Sequence, residues 1–469
     1  MRSYLKYLLW CISFITLIIF FFTGTQLGNK ALGSFLTMYL SNKTHNTLEV
    51  EYLNIDNYPK MVMEICVNKG AKVHLEGFMS RGNIDMKYHL EGEEYRWNSY
   101  LVEGIIDLNG TMKGKLSSLE VEGEGTVFEG STKYKFTKTV KQYRDMKVKL
   151  SEVQSQDLLK FLHLQPLIEG RANIESEFKL FSMVEKEGQS IISMHRGLMP
   201  TVAPNVPFEL NSTIDFKDIS YLFNGEIQSK IGMLEVKNAH YHKSKKEASG
   251  TYILKLKDLA YFEKFLKHRY SGGLNAEGKF SYKEGQYLVA GTSDKFGGHL
   301  AYRYENGSLN LKLKGLSLVE MVKQFNYPAI FSAKVYGDID YNMKDKIVMI
   351  DTKLKEVRFR ETKMTNMIHR ATRIDMIRDV YDDSSFVAGY QNERLNAVLK
   401  IDNGHNHLYL TETVLNAKSN SIDSKFELKM QGQELEGSIY GTLQHPKVNV
   451  NMKRLLKYQM KKGFGYFFH

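Results

Sequence analysis

A chain of 469 residues, 42% hydrophobic and 12% aromatic with only 7 Pro, excludes a disordered polymer and carries apolar mass for roughly two to four domains. Its two Cys exclude a disulfide framework, because Cys11 lies inside an apolar run and Cys66 stands alone. The net charge of +11 is thinly spread, densest at His242–Lys246 and Lys453–Lys462, and no helix-turn-helix, zinc-finger or RNA-recognition pattern accompanies it. Solvated strand faces are the plain explanation, and anionic phospholipid headgroups the sharper one.

Tyr7 to Asn29 contains no charge, and Tyr7–Phe22 (YLLWCISFITLIIFFF) is almost wholly apolar. With Thr23–Leu27 it supplies roughly 30 Å of helix, one bilayer core. Tyr7, Leu8, Trp10, Ile12, Phe14, Ile18, Phe20 and Phe22 are the expected anchor residues. Arg2 and Lys6 precede the run, which places the N-terminus in the cytoplasm. The alternative is a cleaved signal peptide, for which Thr23-Gly24-Thr25 is a poor cleavage site. Nothing later is apolar enough to span again, so residues after Asn29 are expected on one side. Ala31–Ser41 repeats apolar residues at 32, 35, 36, 39 and 40, a helical stripe suited to covering the first strands.

From Lys72 to Lys138 the chain reads as short alternating strands separated by glycines, an antiparallel meander. Beyond it one device recurs. Strands ending in Lys-Leu at Leu150, Leu256, Leu313 and Leu354 lead into helix-patterned runs at Asp157–Leu162, Asp258–Leu266, Leu316–Phe325 and Thr362–Tyr381. Fresh Gly-led strands follow the first three. The last third continues with strands Leu395–Ile401, Leu408–Thr413 and Lys425–Met430, the Asp402-Asn403-Gly404 turn, and the closing stretch Gly437–Val450 (GSIYGTLQHPKVNV). Phe426, Leu428 and Met430 alternate with Lys425, Glu427 and Lys429, one greasy face against one wet face.

A sheet with one apolar face must be covered or must curl over that face. The few short helices cannot cover it all, so a mainly β fold is expected: one N-terminal transmembrane helix, then an elongated, curled antiparallel sheet forming a groove. The alternative is one or more sealed sandwiches. With roughly 25 to 30 strands at about 4.8 Å each, the groove would run on the order of 120–140 Å. The expected divisions are 1–29 (cytoplasmic tip and anchor), 30–45 (juxtamembrane helix), 46–360 (groove), 361–452 (C-terminal region) and 453–469 (basic aromatic tail). Expected groove-lining residues are Leu254, Leu256, Leu309, Leu311, Leu313, Val398, Ile401, Phe426, Leu428 and Met430.

The order of elements in the last third, with the Asn403-Gly404 turn and the closing G-x-L-x-x-P-K-V, resembles the AsmA-like proteins of Gram-negative envelopes. The resemblance is densest over 375–451. It implies inner-membrane anchoring with a single pass, a periplasmic body, and phospholipids as cargo moved towards the outer membrane. Similar troughs occur in bridge-like lipid transfer proteins.

Sites of chemistry are sparse. Gly291-Thr-Ser293 lacks the closing glycine of a nucleophile elbow, and the glycines at 123, 125 and 130 miss the dinucleotide spacing. His405 and His407 share a strand face without an evident third ligand, so solvated surface is the simpler reading. No enzyme, cofactor, metal or nucleic acid is expected. Two functions remain: a passive lipid conduit, or an envelope scaffold that engages outer-membrane proteins through exposed strand edges.

Overall fold

The computed structural model describes residues 25–451, apart from breaks at 45–46, 56–57, 69, 98–99, 183, 268, 326–328, 363–364, 367–368, 370–373, 417 and 443–444. The expected anchor, from Tyr7 to Phe22, and the tail 453–469 lie outside the described residues. Among those described, no helix is long and apolar enough to cross a membrane. The protein is mainly β, with 26 strands among the described residues. The α-helices among the described residues are α1 (Gln26–Thr44), α2 (Ser155–Phe161), α3 (Glu263–Leu266) and α4 (Leu318–Gln324).

The chain divides into two compact units, Met1–Lys230 with Glu235–Ser244, and Ile231–Leu234 with Lys245–His469. In the first, the strands from Leu48–Asn54 to Ser220–Ser229 each pair antiparallel with the next in sequence. In the second, the same holds from Glu247–Leu256 to Pro446–Val450. The expected curl is not found: within each unit the strands form an uncurled sheet. Most of these ladders join strands linked by short turns, and helix-bearing or longer connections follow Gln154, Leu256, Ser317 and Phe359, so the pairing between sequence neighbours needs no bending of one edge towards the other.

Helix α1 covers the first strands, as its stripe predicts, although it begins at Gln26. Leu32 and Leu36 pack against Leu53, Ile55 and Met63. Phe35 and Tyr39 stack at 6.5 Å on the exposed side. The helix also closes the open edge of the sheet. Ser41 Oγ accepts from the Leu48 N–H (3.0 Å) and donates to the Leu48 carbonyl (2.9 Å), while Thr37 Oγ1 accepts from the Val50 N–H (2.9 Å). A bare edge is a template for foreign strands, and these two hydroxyls occupy it.

The first three expected helices form after their Lys-Leu strands, as α2, as a 3-10 turn (Leu259–Phe262) running into α3, and as α4. The fourth differs. From Ile374 to Val380 the expected helix Thr362–Tyr381 is non-helical. The reason is tertiary: Ile374, Met376 and Tyr381 are each inserted into the core of the second unit, almost without exposure. A helix turns residues two apart to different sides, so burying Ile374 and Met376 together takes a non-helical path. Gln431 holds the segment in place, since its Nε2 donates to the Asp375 carbonyl (3.1 Å) and its Oε1 accepts from the Asp375 N–H (3.4 Å).

Candidate functional site

Register places one side of the second unit's sheet in a single apolar surface. Residues directly opposite one another point the same way. Leu254 faces Ala276, and Leu256 faces Leu274. Leu309, Leu311 and Leu313 face Tyr304, Tyr302 and Leu300 on one side and Tyr341, Ile339 and Gly337 on the other. Further along, Ile401 faces Leu408, which faces Leu428, and Leu410 faces Phe426. Nine of the ten expected lining residues therefore share this face. Val398 does not. It pairs with Val387 on the opposite side and is 36% exposed, because it differs in parity from Ile401, and strand side chains alternate.

Burial divides the surface in two. Leu313, Ile401, Leu428 and Met430 are sealed in one core with Leu354, Val357, Ile374 and Tyr381. Tyr381 caps it, with its ring edge-on to Phe359 at 5.7 Å and its hydroxyl 3.6 Å from Met430 Sδ. Leu254, Leu256, Leu309, Leu311 and Phe426 are only half-buried. The 374–381 segment and α4 thus cover the strand ends nearest the inserted chain and leave a half-open apolar strip beside it.

Each unit carries a polar pair inside its apolar face. Tyr88 and Tyr134 touch hydroxyl to hydroxyl at 2.5 Å across the intervening Gly110 and Gly123. Tyr252 and Tyr302 do the same at 2.5 Å across Gly278 and Gly291. Burial first, then the paired hydroxyl, pushes the Tyr88 and Tyr252 phenols far above their ordinary value. Sequence reasoning missed these pairs, though a Tyr separated by one Gly in each of two successive strands is a readable signal.

The first unit's apolar face buries Ile106, Phe128, Val153, Met194 and Phe208 beneath Leu158 and Phe161 of α2. Along one margin it carries an aromatic ladder, also unforeseen. Phe136, Tyr143, Phe181, Phe178, Phe216 and Tyr221 follow one another with centroids 5.1–6.3 Å apart. The opposite face is charged, with cross-strand pairs such as Lys135–Glu122 (3.1 Å) and Lys147–Glu177 (2.9 Å).

Around the Asp402 turn the side chains are engaged structurally. Gly404 adopts φ 84° and donates its N–H to Asp402 Oδ1 at 2.6 Å, and Tyr409 donates its hydroxyl to Asp402. His405 is exposed, while His407 stacks on Tyr409 at 4.3 Å and reaches Glu427 at 3.4 Å. The arrangement offers apolar surface with isolated phenols, chemistry suited to holding hydrocarbon. No family model, no curated protein and no solved structure matches this chain.

Proposed function

We propose that the protein binds phospholipid acyl chains on its apolar sheet faces and conveys them between membranes, without catalysis or a cofactor. The carrying observation is the strip at Leu254, Leu256, Leu309 and Leu311, apolar, continuous in register and only half-covered. Each CH₂ removed from water contributes about 0.8 kcal/mol, so such a strip favours long hydrocarbon over any small polar ligand. The AsmA-like order of the last third supports the same reading, and with it an inner-membrane anchor and a periplasmic body. The sheet's openness shapes the mechanism: acyl chains lie along an uncurled apolar face while headgroups stay in water at its margin.

The scaffold alternative is less well supported. Its contact would be a free strand edge, but Ser41 and Thr37 occupy the first edge, and the last strand among the described residues, Pro446–Val450, is short and begins with a residue that cannot donate to a ladder.

The test is native mass spectrometry with lipid extraction on the detergent-purified full chain, comparing wild type with Leu311→Asp. Co-purifying phospholipid that falls sharply in the variant, with the denaturation midpoint retained, supports the reading. A lipid-free wild type, or lipid content indifferent to Leu311→Asp, overturns it.

A further inference from the structure

Two lysines of the first unit lie on its apolar face rather than on the charged one. Lys138 lies opposite Leu119 and Tyr143, in the same side-chain row as Phe136. Lys186 lies opposite Phe181, in the row of Ile192 and Met194. Both are half-buried. Neighbouring Lys133, Lys135, Lys147 and Lys149 point to the other face, and each pairs with a glutamate there.

Lys138 and Lys186 sit instead on the aromatic ladder. Lys138 Nζ lies 4.2 Å from the centre of the Tyr143 ring. Lys186 Nζ lies over three rings, 5.0 Å from Phe181, 5.7 Å from Tyr221 and 5.9 Å from Phe216. The Tyr143 and Phe181 rings beneath the two ammoniums are themselves neighbours at 6.3 Å. Nearby carboxylates do not neutralise them. Glu185 and Glu187 alternate to the other face, where Glu187 meets Lys179 at 3.4 Å, and Asp218, the register partner of Lys186, forms no ion pair with it among the described residues. Burial, and then the like charge of Lys243, holds the Lys186 ammonium below its ordinary range. A partly desolvated cation facing rings rather than a carboxylate gains most from an anion that arrives attached to something apolar.

We propose that Lys138 and Lys186 receive the phosphate of an anionic phospholipid whose acyl chains lie on the adjoining apolar face. The assignment rests on the lipid-binding reading above and names its preferred cargo. Hydrocarbon meets the half-buried Ile192 and Ile214 in the adjoining rows, the glycerol region meets the aromatic ladder, and the phosphate meets the two ammoniums at the hairpin margin. The shared chemistry, a phosphate oxygen on an ammonium, also suits free inorganic phosphate, so the test separates them.

Purified full chain is incubated with mixed micelles containing either phosphatidylglycerol or phosphatidylcholine, and retained lipid per chain is measured by extraction. Wild type should retain phosphatidylglycerol over phosphatidylcholine by roughly thirtyfold, the scale of two near-surface lysines at about 1 kcal/mol each. Lys138→Gln with Lys186→Gln should abolish that preference while leaving phosphatidylcholine retention and the denaturation midpoint unchanged. The Arg pair at the same positions should restore the preference and guards against a folding artefact. Equal retention of both lipids by wild type overturns the headgroup assignment and leaves lipid binding intact. Retention of neither overturns both. Inorganic phosphate bound by wild type and lost in the Gln pair, without any lipid preference, reassigns the lysines to a free anion and also overturns the proposal.

Discussion

Tyr252 and Tyr302 reach towards each other from strands three apart and meet hydroxyl to hydroxyl at 2.5 Å, with Gly278 and Gly291 between them. Tyr88 and Tyr134 repeat the relationship in the other unit over Gly110 and Gly123. The glycines are required by space. A Cβ on Gly291 would lie 2.5 Å from the Tyr302 hydroxyl, and one on Gly123 would lie 2.6 Å from that of Tyr88. Gly291→Ala is therefore expected to destabilise the second unit by about 1–3 kcal/mol through overpacking. Tyr302→Phe, which keeps the ring and removes one hydrogen bond, should cost about 0.5–1.5 kcal/mol. Urea midpoints decide it. An Ala variant as stable as wild type would show that the rings move aside freely.

The inserted segment makes the second prediction. Tyr381 is fully buried against Phe359 and Met430, so Tyr381→Ala is expected to lose about 3–5 kcal/mol. Tyr381→Phe removes only a weak hydroxyl-to-sulfur contact and should be nearly neutral. If limited proteolysis and denaturation find Tyr381→Ala indistinguishable from wild type, the segment does not seal this core.

Parity on one strand gives a third. Ile401→Asn puts an amide into the sealed core and should destabilise by several kcal/mol, on the order of a large-to-small core loss plus an unpaired polar group. Val398→Asn, three residues earlier but on the exposed face, should change stability by no more than about 0.5 kcal/mol. Equal losses at the two sites would contradict the assignment of faces.

Alkaline pH should loosen the fold for a stated reason. The hydrogen bond to Asp402, and then burial, pushes the Tyr409 phenol up to about 12, and burial alone pushes Tyr95 up to about 12. The unfolded chain ionises these phenols near their ordinary value of about 10, while the folded chain keeps the protons. Their contribution is complete below about pH 10 and declines as pH rises towards 12. Tyr409→Phe should make the decline shallower, read by urea midpoints from pH 9 upward. Asp402 acts at the other end. Burial raises its pKa, but the Tyr409 hydroxyl and the Gly404 N–H outweigh that and hold it below its ordinary value. Its contribution is present above that ordinary value and is lost in acid.

Charge on the wet face should matter little. Lys147 and Glu177 are 66% and 70% exposed, so Lys147→Ala is expected to shift stability by no more than about 0.5 kcal/mol, and less at high salt. A loss of several kcal/mol, insensitive to salt, would contradict that.

Much of this architecture was determined locally. Alternation in Ile84–Leu90 and Lys425–Met430 fixes which face is apolar, because a strand's side chains can go only two ways. Asn403-Gly404 fixes a turn, because Gly404 takes a positive φ at no steric cost. Three Lys-Leu strands running into short helices were likewise legible. Tertiary structure decided the rest. Residues 374–380 have a helical pattern yet are non-helical, because burying Ile374, Met376 and Tyr381 together outweighs a weak local propensity. The uncurled sheet could not be read from alternation, which is the same in a curled sheet and an open one. The phenol pairs and the ladder steps Tyr143–Phe181 and Phe178–Phe216 join residues dozens of positions apart, and only register brings Tyr252 to Tyr302 or Lys186 over Phe216.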